Sequence, residues 1–223
     1  MIAAGSVGLY LYQDRFSAQR QIQQLEQKNQ ILQQVVQRLS SAKRVAEVIV
    51  TDQKTLNGMT HTTLLFVEYA RDGSPLPAKS FEIEGNVAHV DAMVIKFDPQ
   101  FVGEADPLRG HAIALFTRIY GDNQNPAGAP RIDEPGKIPD AYRGADPRVT
   151  HFETDLWNDF WKLADDPQYR KERGVVVADG QGVWRPIEPD KLYTITLQAY
   201  GGLNVTSEPL KGIYREALKR KTS

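Results

Sequence analysis

The chain has 223 residues, 27 basic against 28 acidic, and contains no cysteine. That length suits one good-sized domain plus an extension, and a net charge of −1 gives no electrostatic case for nucleic acid or acidic substrates. The lack of cysteine excludes disulfides, thiol catalysis and Cys-based metal sites.

Residues 1–12, MIAAGSVGLYLY, are apolar and uncharged. A helix of that length rises only about 18 Å, against about 30 Å for a bilayer core. The segment is read as a partial membrane anchor, with a frayed apolar terminus as the alternative. The expected location is therefore membrane-anchored and extracytoplasmic, although the Lys/Arg cluster that would fix the side is not in the sequence.

Residues 13–43 are Gln-rich, lack Gly and Pro, and are expected to form one continuous coiled-coil helix. Ile22, Leu25, Leu32, Val36 and Leu39 fall at a and d of one heptad frame, with Asn29 as its polar a residue. A seam this narrow is what two helices bury against each other, and a buried Asn selects register and a two-stranded state. A parallel homodimer is favoured. Ile31 and Val35 beside the seam leave a trimer, or packing against another protein, open.

Residues 44–223 are expected to form a β-sandwich-type head. Asn57-Gly58 marks the strongest hairpin, and a two-residue turn there sets Val50 opposite Leu65, Val48 opposite Val67 and Ala46 opposite Tyr69. The same register opposes Glu47 to Glu68, a like-charge pair that invites a bulge or shift. Gly85-Asn86 predicts a second hairpin joining KSFEIE to VAHVDAMVIKF, with Glu82 opposite His89 and Ser80 opposite Asp91. A strand follows over 111–120, then a 121–150 loop with five Pro and four Gly.

A helix capped by Thr154 or Asp155 carries Leu156, Phe160, Leu163 and Ala164 on its apolar face. Short strand fragments are expected over 174–185 around Asp179-Gly180, then a strand in KLYTITLQAY after Pro189-Asp190. A proline turn followed by Tyr193, Ile195 and Leu197 resembles the late strand of an immunoglobulin-like sandwich, where a tyrosine corner sits. A last helix is predicted from Ser207 through Leu210, Ile213, Tyr214, Ala217 and Leu218, ending in Lys219-Arg220-Lys221. Seven or eight strands with two helices argue for a mainly β fold with flanking α: an antiparallel β-sandwich, immunoglobulin-like at best.

No GxxxxGK loop, G-x-S-x-G elbow, H-E-x-x-H or Cys/His zinc pattern occurs. Glu82, His89, Asp91 and His111 are the candidates for a metal-assisted hydrolase, weighed against the ordinary polar side of a half-exposed hairpin. Trp157 and Trp161, beside Phe160, are the candidates for partner binding or sugar stacking, weighed against core packing. The expectation is a membrane-tethered coiled-coil scaffold or assembly subunit, more a binding protein than an enzyme, with no cofactor. Its partners would be itself and another envelope protein, not nucleic acid. A metal-assisted hydrolase or a carbohydrate-binding module is the alternative. The layout of anchor, coiled coil and β head is similar to that of bacterial envelope scaffold and adaptor proteins.

Overall fold

The computed structural model describes residues 19–28, 30, 43–70, 72–103, 109–134, 137–142, 155, 158–198 and 201–212. Its head holds eight strands among these residues: β1 (Lys43–Leu56), β2 (Met59–Glu68), β3 (Lys79–Glu84), β4 (Val87–Phe97), β5 (Ile113–Gly121), β6 (Val175–Pro186), β7 (Lys191–Leu197) and β8 (Leu203–Pro209). They form a five-stranded sheet, β3-β2-β1-β7-β8, and a three-stranded sheet, β5-β4-β6. Every pairing is antiparallel. Three α-helices among the described residues join them: α1 (Gln100–Gly103), α2 (Phe160–Asp165) and α3 (Pro167–Glu172).

The sheets face each other across one core. Val48, Leu64, Phe66, Ile83 and Ile195 come from the larger sheet, and Val90, Phe116 and Ile119 from the smaller. Alternation of apolar and polar residues along each strand drives this arrangement, since only one face of a strand can be buried between two layers. Phe66 lies at the centre, edge-to-face with Phe116 across the sandwich at 5.3 Å and with Phe81 at 6.1 Å.

The β1–β2 turn forms as expected, with Leu56 paired to Met59 and with positive φ at both Asn57 (53°) and Gly58 (81°), the twist a two-residue hairpin requires. Beyond Asp52 the register differs from the sequence expectation. A bulge at Thr51 sets Val50 opposite Leu64, Val48 opposite Phe66 and Ala46 opposite Glu68. A one-residue slip exchanges the faces of a strand. Leu64 and Phe66 are therefore buried in place of Leu65 and Val67. The slip also separates Glu47 from Glu68 and brings Glu68 inside.

Gly85-Asn86 does not close a hairpin. β3 pairs with β2 and β4 with β5 and β6, so the connection crosses from one sheet to the other. Gly85 has φ 122°, and a Cβ there would run into Asp122, whose Oδ1 accepts from the backbone N–H groups of Asn86 and Val87 at 3.1 and 3.2 Å. The crossover is held by the start of the 121–150 loop.

Two further expectations are corrected. Residues 175–186 are one continuous strand, β6, because they pair along nearly the whole of β4. Ser207 lies in β8, held by its pairing with Tyr193, so no helix begins there. Part of the 121–150 loop is ordered against β5: Ile132 donates to the Thr117 carbonyl at 3.2 Å and Asp133 to that of Phe116 at 3.0 Å. It continues the hydrogen bonding of an otherwise open sheet edge. Helix α3, with Asp166 accepting from the Tyr169 N–H and Pro167 in its first turn, lies outside the sequence prediction although its start signal is plain.

Tyr193 is 2 % exposed, and its hydroxyl accepts from the Glu188 N–H at 2.8 Å. Tyr193→Phe removes the partner of that N–H and should cost roughly 0.5–1.5 kcal/mol. A urea midpoint unchanged from wild type would show that water replaces the bond.

Residues 19–28 and 30 are helical and exposed. Asn29, Leu32, Val36 and Leu39 lie outside the described residues, as do residues 1–12. No helix among the described residues is long and apolar enough to cross a membrane.

Candidate functional site

The outer face of the three-stranded sheet is divided in two. One half carries Met93, Ile95 and Phe97 of β4, Ile113 and Leu115 of β5 and Val175 and Ala178 of β6, packed under Phe101 of α1, Phe160 and Leu163 of α2 and Tyr169 of α3. The other half is open. Its surface is built in rungs, because outward residues recur every second position on each strand.

The first open rung is aromatic. His89 of β4 pairs with Tyr120 of β5 and with Trp184 of β6. The His89 and Tyr120 rings stack 5.0 Å apart and within 7° of parallel; Trp184 follows at 6.5 Å and 29°. Trp184 is 63 % exposed on its edge strand. Such cross-strand stacks add a fraction of a kcal/mol to about 1 kcal/mol each.

The second rung is charged. Asp91 pairs with Arg118 and Gly182, and Arg118 Nε lies 3.3 Å from Asp91 Oδ2. The Arg118 guanidinium also donates to the Pro126 carbonyl at 2.9 Å, fixing the loop after β5 beside the sheet. The Tyr120 hydroxyl faces Asp91 Oδ1 at 3.5 Å. Burial, and then the Asp91 carboxylate, raises that hydroxyl above its ordinary pKa. On the third rung Gly180 stands opposite Met93.

Over the second and third rungs lies a cavity of about 560 Å³, lined by Asp91, Met93, Thr117, Arg118, Pro126, Ala127, Ala129, Arg131, Gly180, Gln181 and Gly182 among others. Its size falls within the ~300–1,000 Å³ common for ligand sites. Gly180 and Gly182 make part of its floor bare backbone. Neither has a positive φ, and a Cβ at Gly180 would meet nothing within 4 Å. Glycine inside a strand costs about 0.5–1 kcal/mol relative to alanine, and often marks a close approach by a ligand or another backbone. Arg131 makes no hydrogen bond or ion pair among the described residues, while the Gln181 side chain is held by Gly201 and Leu203. The Thr117 hydroxyl donates to the Asp91 carbonyl at 3.1 Å and not to a base. The arrangement suits binding: one acceptor, two guanidinium groups and an apolar wall.

The sequence candidates divide across the fold. His89 and Asp91 share the open face, but Glu82 sits on β3 in the other sheet, opposite Thr63, and His111 precedes β5. The expected opposition of Glu82 and His89 fails because β3 and β4 belong to different sheets. Among the described residues no group of three or more His, Asp or Glu side chains is placed to hold a metal ion. Trp161 belongs to α2, and Trp157 lies outside the described residues. Trp184, Tyr120, Arg118 and Arg131 were not sequence candidates. The available signal was DGQGVW, with Gly180, Gly182 and Trp184 at alternating positions of one strand face.

A second polar cluster sets two buried carboxylates around a half-buried lysine. Lys79 Nζ on β3 donates to Glu68 Oε2 at 3.0 Å and to the Ile132 carbonyl at 3.1 Å, and lies 3.7 Å from Asp133 Oδ1. Glu68 is 4 % exposed, and Asp133 Oδ2 is buried with no hydrogen-bond partner. Burial raises the pKa of Glu68, with Lys79 opposing. Burial, and then the Glu68 carboxylate, raises Asp133 to about 7. The cluster pins the loop after β5 to the larger sheet.

The chain matches no protein-family model, no curated protein and no solved structure.

Proposed function

We propose that the protein is an oligomeric scaffold or assembly subunit, in which the N-terminal helix joins copies of the chain and the β head binds a partner. The observation that carries the reading is the exposure of the seam: Ile22 and Leu25 are 54 % and 61 % exposed on a helix whose described residues all face solvent. A short isolated helix is marginal in water and gains most of its stability from burying an apolar face. A second copy supplies that face, because the heptad frame is self-complementary and Asn29 at a gives it a register. Residues 1–12 would tether the assembly to a membrane in this reading. Tyr193, bonded back to Glu188, supports an immunoglobulin-like form of the sandwich.

Leu25→Asp tests the assembly. A charge at a seam position should convert the dimer to monomer in sedimentation velocity while the β signal of the head is unchanged. A wild-type chain that sediments as a monomer, or a variant that stays dimeric, would overturn it.

A further inference from the structure

We propose that the trough over Gly180 and Gly182 binds an acidic sugar, a hexuronate residue of an oligosaccharide, with Arg131 holding its carboxylate. The inference stands on the head alone and holds whether or not the N-terminal helix pairs.

Four observations converge on that chemistry. The floor is open backbone at Gly180, where a Cβ would meet nothing within 4 Å, and beside it the Asp91 carboxylate lies close over Gly182. Asp91 and Arg118 set an acceptor and a donor side by side, 3.3 Å apart, which is what neighbouring sugar hydroxyls require. Pro126, Ala127, Ala129 and Met93 supply an apolar wall for the C–H face of a pyranose ring. Arg131 is a cation at the lining with no partner among the described residues, and its planar fork matches a carboxylate.

Competing ligand classes fit less well. Among the described residues no aromatic ring lines the cavity to stack a nucleobase. The aromatic rung lies two residues along the strands, beside the cavity. A second sugar ring extending that way would reach exposed Trp184, whose negative aromatic face suits ring C–H groups.

Calorimetric titration of the full chain with trigalacturonate and triglucuronate, and with their methyl esters, tests the site. At least one acid form should bind saturably, and its ester roughly tenfold more weakly, since a charge-assisted hydrogen bond is lost. Arg131→Gln should remove the difference between acid and ester. Gly180→Val should abolish binding without lowering the thermal midpoint, because Gly180 lines the trough and a Cβ there meets nothing within 4 Å. Failure of both acids to bind the wild-type protein would overturn the proposal. Equal binding of acid and ester would overturn the acidic class. Binding that survives both substitutions would place the sugar elsewhere and overturn the site.

Discussion

Asp133→Asn is expected to stabilise the protein at neutral and alkaline pH and to flatten its stability against pH. One lysine faces two buried carboxylates: Lys79 sits 3.0 Å from Glu68 and 3.7 Å from Asp133. It can compensate one negative charge well, so the second carboxylate holds its proton. Folded Asp133 ionises near 7, against an ordinary 3.8. Between those values the folded state binds more protons than the unfolded chain. The favourable contribution is therefore complete below about pH 4 and lost as pH rises to about 7. Glu68, also raised by burial, adds to the slope in the same direction. At ~1.4 kcal/mol per unit the loss from Asp133 is at most about 4 kcal/mol. Asparagine keeps the shape and removes the charge. Its thermal midpoint should exceed that of the wild type at pH 8, and the gap should close toward pH 4. A variant equally destabilised at both pH values would show that Asp133 acts through its hydrogen bonds and not its charge. Glu68→Gln should also flatten the profile, by less, because Lys79 then loses its nearest anion.

Phe66→Ala should lower the unfolding free energy by about 3–5 kcal/mol, the usual cost of emptying a phenylalanine site in a rigid core. Phe66 is fully buried and touches Phe116 on the opposite sheet and Phe81 on its own. Both ring neighbours are fixed by strand pairing, which limits collapse into the space. The loss is therefore expected near the upper end, with lower cooperativity of urea unfolding if the two sheets separate. A cost below about 1 kcal/mol would mean that the sheets move together, contrary to ordinary core rigidity.

The turn at Asn57-Gly58 was legible because positive φ at two successive residues has a strong residue signature. Strand positions were legible from alternation, and Phe160 and Leu163 from helical spacing; both are buried. The bulge at Thr51 was not, because either face of β2 offers apolar residues: Leu64 and Phe66 on one, Leu65 and Val67 on the other. Only the opposing sheet, with Phe116 waiting at 5.3 Å, decides between them. The Glu47–Glu68 conflict was the visible trace of that slip. Gly85-Asn86 misled for a related reason. A tight glycine turn serves a hairpin and a crossing between sheets equally well, and Asp122, dozens of residues away, selects the second.

The candidate site was less legible. His89 and Asp91 were picked for their chemistry, yet their neighbours on the face come from β5 and β6, which lie roughly thirty and ninety residues later in the chain. Trp157 and Trp161 drew attention through helical spacing, while Trp184 is the tryptophan on an open strand face.

The sequence by itself determined the elements that depend on local chemistry. These are the β alternation, the Asn57-Gly58 turn and the absence of cysteine chemistry. Tertiary structure decided which face of β2 is buried, that β3 and β4 part into different sheets, and that Gly180, Gly182, Asp91 and Arg118 share one trough. Local preference acts within a few residues along the chain. Strand pairing and core packing instead compare distant segments, and the pairing that fills the space between the sheets prevails.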